Sequence, residues 1–252
     1  MRFPALLICA VVLLCGCQSE VESKLVTGFH GSAGKHSAIT KQSQGNPFGY
    51  YEYVPLLDSH TQPPIIFYWN GANAIKGNGT TEINRLLSQG LPQFINEGKH
   101  YPAIILSAML SDWQTQDVSP FVEYALTRYQ GLYDPNRIYM TGFSAGGGVT
   151  LRYFKDHPEK LAAIIPIAPA AHPPKEDELT PDHGQVASWF FHNSGDMKVE
   201  IWRSNQWHHA LKSVGGERRI TRPDLDSHYA WQAAYNSQDT WNWLFAQSKN
   251  EP

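Results

Sequence analysis

Residues 137–147 read Arg-Ile-Tyr-Met-Thr-Gly-Phe-Ser-Ala-Gly-Gly, and this stretch decides the fold. The apolar run Arg137–Thr141 has the make-up of a buried strand, and the pattern from Ala145 to His157 is that of a helix. Between them Gly142, Ser144 and Gly146 spell G-x-S-x-G. A turn that tight tolerates only minimal side chains beside the serine, which explains the glycines. It lifts the Ser144 hydroxyl above the sheet edge and aims the free N–H groups of the helix N-terminus at any oxyanion formed there. Ser144 is therefore the expected nucleophile, and the N–H of Ala145 the expected first oxyanion donor. The bare motif also arises by chance. Its weight comes from the strand–turn–helix setting and from the third glycine, Gly147.

Working outward, short apolar runs alternate with helical segments. Strands are expected at Tyr50–Val54, Ile65–Trp69, Ala103–Leu106, Ala162–Ile167, Ser188–His192 and Arg218–Thr221, with a short early one near Leu25–Phe29. Helices are expected at Glu82–Asn96 (broken at Gly90 and Pro92), Pro120–Gln130, Ile201–Val214 (stopped by Gly215-Gly216) and Gln238–Gln247. This alternation implies a mostly parallel sheet with helices on both faces. The 252 residues suffice for one large α/β domain and are too few for two. Pro169–Gln185 is a loop with four prolines, too short for a cap domain.

A serine on such a turn takes its partners in the order acid, then histidine, each from a loop at the carboxyl end of a strand. Asp196 comes after the strand ending at His192, and His228 is the single histidine after the last strand. Asp224 and Asp226 lie closer to His228 but share its loop, where turning or capping is their expected task. His192, His208 and His209 read as surface or packing residues. The second oxyanion donor is expected from Asn70-Gly71-Ala72, at Gly71 or Ala72, with the Gly-rich stretch to Gly79 letting amides turn inward. The alternative for that segment is an ordinary strand-to-helix loop. This set performs acyl transfer: His228 takes the Ser144 proton, Asp196 holds the imidazole, and water cleaves the acyl-enzyme.

These residues resemble a family of bacterial α/β-hydrolase esterases. It includes feruloyl and acetylxylan esterase-like and polyhydroxybutyrate depolymerase-like enzymes, and chains labelled predicted peptidases or phospholipase/carboxylesterases. The likeness runs from about residue 48 to 247. Asp134-Pro-Asn-Arg-Ile-Tyr-Met-Thr-Gly-Phe-Ser-Ala-Gly-Gly looks like the family's elbow, and His157-Pro-Glu-Lys-Leu-Ala-Ala resembles the family's next segment. His228-Tyr-Ala-Trp231, Ala234-Tyr235 and Trp243-Leu244 are similar to its ending. The resemblance implies an α/β-hydrolase fold, a mostly parallel central sheet without a large cap domain. Three positions depart from the pattern: Asn70-Gly71 stands where the family has His-Gly, Asn193 comes after His192 where it has Gly, and Ser227 precedes His228 where it has Gly. They put the shape of the oxyanion loop, and with it the substrate, in question.

Composition narrows the function classes. Twenty basic and 23 acidic residues give a net charge of −3, which argues against a nucleic-acid partner. No histidine pair has metal-ligand spacing with carboxylate or thiolate support, so neither a metal nor another cofactor is expected. Residues 1–16 read as a signal peptide: Arg2, then an apolar stretch from Pro4 to Leu14 too short to span a bilayer. Leu14-Cys15-Gly16-Cys17 resembles the bacterial lipobox, which makes Cys17 the lipidated N-terminus and, if the host has two membranes, Gln18 an outer-membrane sorting residue. An ordinary signal peptide cut after Gly16 or later is the alternative. Residues 17–45 then form a polar tether and 46–250 the catalytic domain. With Cys9 and Cys15 lost and Cys17 alkylated, no free thiol or disulfide remains.

Three functions are compatible with these features. The leading one is an ester hydrolase at the cell envelope acting on small-molecule or carbohydrate esters, including acylated or feruloylated ones, with Trp69, Trp113, Trp202, Trp207 and Trp231 as candidate stacking platforms or, more simply, core. The second is a serine peptidase. The third is a lipid-anchored binding protein that keeps the fold without the chemistry. Oligomeric state is not legible.

Overall fold

The computed structural model describes residues 28–41, 45–56, 62–74, 82–112, 114–175 and 177–249. The signal peptide, Cys17, Trp113 and the Gly-rich stretch 75–79 lie outside the described residues.

Among the described residues eight strands form one sheet: β1 His36–Ile39, β2 Tyr50–Tyr53, β3 Ile65–Trp69, β4 Ile104–Ala108, β5 Ile138–Phe143, β6 Ala163–Ile167, β7 Ala187–Phe191 and β8 Arg218–Thr221. Their order is β1-β2-β4-β3-β5-β6-β7-β8. The β1–β2 and β2–β4 pairs are antiparallel and every pair from β4 to β8 is parallel. Among the described residues six α-helices accompany them: α1 Gly90–Asn96, α2 Ser119–Arg128, α3 Ala145–Asp156, α4 Trp202–Ala210, α5 Trp231–Asn236 and α6 Gln238–Ala246.

The unbroken apolar character of β3 comes from burial on both faces. Ile65, Phe67 and Trp69 point into a core shared with Phe121 and Val122 of α2 and with Val149 and Phe154 of α3. Ile66 and Tyr68 point into the opposite core, with Leu91 and Phe94 of α1, Trp231 and Tyr235 of α5, and Trp241 and Leu244 of α6. Burying one large apolar side chain contributes about 1.5–3 kcal/mol, so these two layers dominate the stability of the sheet.

The structure corrects the reading of the N-terminal segment. No strand occupies residues 28 and 29; the first is His36–Ile39, inside the stretch expected to be a tether. It is held from β2 by register and from the sheet interior by a fully buried carboxylate. Glu52 accepts the N–H groups of His30 and Gly31, each at 2.9 Å, and the Tyr129 hydroxyl at 2.6 Å. A polar segment can thus be ordered by long-range hydrogen bonds that no local pattern announces. One helix breaks at Gly90 as expected, with Pro92 inside the second piece, and another ends early. Glu82–Asn96 divides into a 3₁₀ segment, Ile83–Ser88, and α1, because Gly90 takes a positive φ of 66° at the junction. Ile201–Val214 forms regular helix only as far as Ala210.

His36 makes β1 sensitive to acid. Its ring lies 5.2 Å from that of Tyr51 and 5.9 Å from that of Tyr53, and both ring nitrogens are buried without a partner. Burial therefore pushes its pKa from 6.5 down to about 4. The unfolded chain takes up this proton first. The penalty is absent above pH about 6.5, grows as pH falls by roughly 1.4 kcal/mol per unit, and levels off below about 4. Urea midpoints measured from pH 7 to 4 should fall less steeply for His36→Gln than for wild type. Equal slopes would remove His36 from the acid response.

Candidate active site

The turn between β5 and α3 carries Ser144 at φ 56° and ψ −113°, a conformation that L-residues seldom adopt. It is held on three sides. The Ser144 N–H donates to the Ile167 carbonyl at 2.8 Å, and its own carbonyl accepts the N–H groups of Gly148 and Ala170 at 3.0 and 2.9 Å. The glycines let backbone approach backbone. A β-carbon on Gly142 would collide with the Gly146 carbonyl, and one on Gly146 would collide with the Trp69 carbonyl. Gly146 thus seats the first turn of α3 directly on the end of β3, beside the 70–72 loop. Three consecutive glycines, Gly146–Gly148, are a poor helix start, costing about 1 kcal/mol each relative to alanine. The surrounding burial carries the helix instead.

Asp196 lies on the loop after β7 and His228 on the loop after β8. His228 Nδ1 is 2.6 Å from Asp196 Oδ2, with both side chains nearly or fully buried. The other carboxylate oxygen, Oδ1, accepts the N–H groups of Lys198 at 2.9 Å and Val199 at 3.1 Å. The two loops are joined along their length. The Ser194 and Gly195 N–H groups donate to the carbonyls of Pro223 and Leu225, and the Asn193 side chain donates to the Ser227 carbonyl at 2.7 Å. Asn193 and Ser227, two of the three departures from the family pattern, therefore meet each other and splint the acid loop to the histidine loop. Asp224 accepts the Ser194 hydroxyl at 2.8 Å, and the Asp226 side chain packs on Gly195. Neither is the acid partner of His228.

Ser144, Ala145 and His228 open onto one cleft of about 910 Å³. Phe143 borders it and packs on the His228 ring, centroids 4.7 Å apart. Ala72, Asn73 and Gln89 form the adjoining wall, so of the two expected second donors Ala72 faces the cleft, while Gly71 is buried behind it against Gln89 and Phe143. Asn70, the third departure, is fully buried. Its Oδ1 accepts the Leu110 N–H at 3.0 Å and its Nδ2 donates to the Gly71 carbonyl at 2.9 Å, fixing the loop from behind. The Ala170–Lys175 stretch and Trp207 complete the far side of the cleft, with the Trp207 indole N–H donating to the His172 carbonyl at 2.8 Å. Trp69, Trp207 and Trp231 are buried, and Trp202 is 39% exposed.

His192 has a larger part than a packing residue. Fully buried, it places Nε2 2.8 Å from the Val199 carbonyl and 3.3 Å from Asp196 Oδ2, with Nδ1 2.7 Å from the Ser204 hydroxyl. Burial lowers its pKa, so the neutral ring donates through Nε2 and accepts through Nδ1. It braces the loop that carries Asp196 against α4. Its place four residues before the acid, at the end of a buried strand, is the signal available in sequence.

The glycine elbow, the strand order and the relatives of the chain define a serine hydrolase of the α/β-hydrolase fold. Residues 108–234 match the family described as Serine aminopeptidase, S33 (Hydrolase_4), and the chain belongs to it. Among solved structures, a thermostable esterase shares 23% identity over 85% of this chain and 63% of its own, with a TM-score of 0.62. The Pyrococcus horikoshii acylaminoacyl peptidase shares 14% over 86% of this chain and 42% of its own, TM-score 0.57. A ferulic acid esterase shares 13% over 84% of this chain and 97% of its own, TM-score 0.56. At these identities the likeness is one of fold, and the chain spans less than two thirds of the first two proteins. No curated protein sequence matches it.

Proposed function

We propose that this protein is a carboxylic ester hydrolase of the cell envelope, working through an acyl-enzyme on Ser144. His228 is the general base, Asp196 orients and charges it, and the N–H groups of Ala145 and Ala72 receive the oxyanion. The observation that carries this reading is the 2.6 Å contact between His228 Nδ1 and Asp196 Oδ2 in the cleft that Ser144 enters. With the imidazole held through Nδ1, Nε2 is left for the serine proton and then for the leaving group. Acylated or feruloylated carbohydrate suits the cleft, which has Trp202 and Tyr229 exposed on the flanking segments and short connections around it. The signal sequence and Cys17 supply the envelope placement, with a lipid on Cys17 as membrane anchor. Labelled palmitate incorporation that survives Cys17→Ser would remove the anchor.

A peptidase is the second reading, favoured by the description of the family and by the acylaminoacyl peptidase among the fold relatives. The two separate on matched substrates. Residues 18–252 should label with a fluorophosphonate and should hydrolyse an N-acyl amino acid ester faster than the corresponding anilide. A higher kcat/KM on the anilide would transfer the assignment to the peptidase, and a folded protein that neither labels nor turns over either substrate would leave the binding role.

A further inference from the structure

We propose that the cleft selects esters that carry a carboxylate, held by Lys198 and Arg203 on the wall of the cleft that Ser144 and His228 enter. This rests on the ester-hydrolase reading and adds the substrate class.

The observation is a charge imbalance. Among the described residues the cleft is lined by five cations, Arg152, Lys155, Lys175, Lys198 and Arg203, against the single carboxylate of Glu178. The chain as a whole is net negative at −3, so the imbalance belongs to the cleft. Part of it is structural. Lys155 pairs with Glu178 at 3.3 Å, the Glu178 carboxylate also accepts the Lys175 N–H at 2.8 Å, and Arg152 donates to the carbonyls of Gln114 and Gln116.

Lys198 and Arg203 are different. Neither forms an ion pair among the described residues. The nearby Glu200 carboxylate keeps its charge but pairs with neither cation, accepting instead the Trp202 indole N–H at 2.7 Å. Each cation instead rests against an aromatic face: Lys198 Nζ lies 5.7 Å from the Tyr229 ring centre, and the Arg203 guanidinium lies 5.0 Å from that of Trp202. A π-face steadies a cation without cancelling its charge. Lys198 is also tied to the chemistry through its backbone, since its N–H donates to Asp196 Oδ1 while Tyr229 is the residue directly after His228.

Two unneutralised cations, steadied by rings that are 44% and 39% exposed, present an anion site with apolar flanks. Arg203 offers the planar fork that matches a carboxylate, and Lys198 a point charge. The fitting substrate is therefore an ester with a carboxylate next to a ring or an aliphatic chain. That describes an acylated acidic sugar or aromatic acid when the carboxylate is on the alcohol, and a half-ester of a dicarboxylic acid when it is on the acyl group.

Two matched pairs test this. The p-nitrophenyl monoester of adipic acid against p-nitrophenyl hexanoate places the carboxylate on the acyl side; 4-acetoxybenzoate against its methyl ester places it on the alcohol side. In one pair the anionic member should have the higher kcat/KM at low salt, by about tenfold, the scale of a charge-assisted hydrogen bond. The preference should shrink when salt is raised to about 0.5 M, where screening acts within a few ångströms. In the double variant Lys198→Gln/Arg203→Gln the anionic-to-neutral ratio should fall about tenfold. Neutral esters turned over with no anionic preference in either pair, or a ratio unchanged in the double variant, would overturn this proposal and leave the hydrolase reading standing. Failure on all four esters would overturn both.

Discussion

Replacing Ser144 by alanine is expected to remove about a millionfold of the catalysed rate on any accepted ester, the scale seen when a triad nucleophile is lost. Replacing it by glycine should remove as much and yet leave the fold more stable than the alanine variant. The reason is the backbone at φ 56° and ψ −113°. A residue with a β-carbon held in so sparsely populated a region costs of order 1–3 kcal/mol. Alanine keeps that β-carbon and with it the strain; glycine has none. Against the gain stands the extra freedom glycine gives the unfolded chain, about 0.4–1 kcal/mol. The net expectation is a glycine variant more stable than the alanine one by roughly 0.5–2 kcal/mol. Urea titrations of the two variants, compared at equal m-value, measure it, with ester hydrolysis recorded on the same preparations. Alanine activity near wild type would dismiss Ser144 as nucleophile. A glycine variant weaker than alanine would mean that the turn stores no strain. Together the two results would say that the serine is retained at a cost in stability, as expected where the chemistry sets the residue.

The parts of this site that are legible in the sequence are those in which the chemistry lies within a few consecutive residues. The elbow can be read because a strand, a G-x-S-x-G turn and a helix succeed one another in eleven residues, each demanding its own composition. Asp196 and His228 can be placed because each lies just past a strand end. The rest depends on contacts between distant segments. Nothing in the sequence near His36 announces β1, since the carboxylate that orders the preceding turn belongs to β2 and the hydroxyl completing it to Tyr129. The helix α5 is hidden in the sequence because it is six residues long and has no side-chain cap; it exists because Trp231 packs on Phe94 and the Tyr235 hydroxyl meets Thr141 Oγ1 at 2.8 Å. His192 reads as packing because its partners, Val199, Ser204 and Asp196, converge on it only once the loop after β7 has folded back. The same holds for one departure from the family pattern: the Asn193 side chain reaches the backbone carbonyl of Ser227, a contact that a glycine at 193 could not make.

Gly146→Ala should be a severely damaging addition of a single methyl group. The new β-carbon would overlap the Trp69 carbonyl and lie 2.8 Å from the Asn70 carbonyl oxygen, and both obstacles are backbone, at the end of β3 and just past it. A flexible side chain could swing aside from such a contact; the end of β3, paired on one side with β4 and on the other with β5, cannot. The α3 N-terminus must therefore lift away from the 70–72 loop. We expect a loss of about 3 kcal/mol or more in unfolding free energy, beyond the usual cost of one extra methylene in a packed interior. The functional effect has a separate cause. Ala145 sits on the lifted turn and Ala72 on the loop it leaves, so the two amides proposed as oxyanion donors move apart. Loss of one oxyanion donor costs about 10²–10³ in kcat, and this variant should lose at least that on esters under conditions where it stays folded. Fluorophosphonate labelling of the surviving folded fraction separates the two effects, because the Ser144 hydroxyl and the His228–Asp196 pair are still present. Slow labelling by a folded protein would locate the damage in the oxyanion geometry. A stable Gly146→Ala variant with full activity would show that the contact between α3 and β3 does not hold the site together, and the reading of the elbow as the junction of nucleophile and oxyanion loop would fail with it.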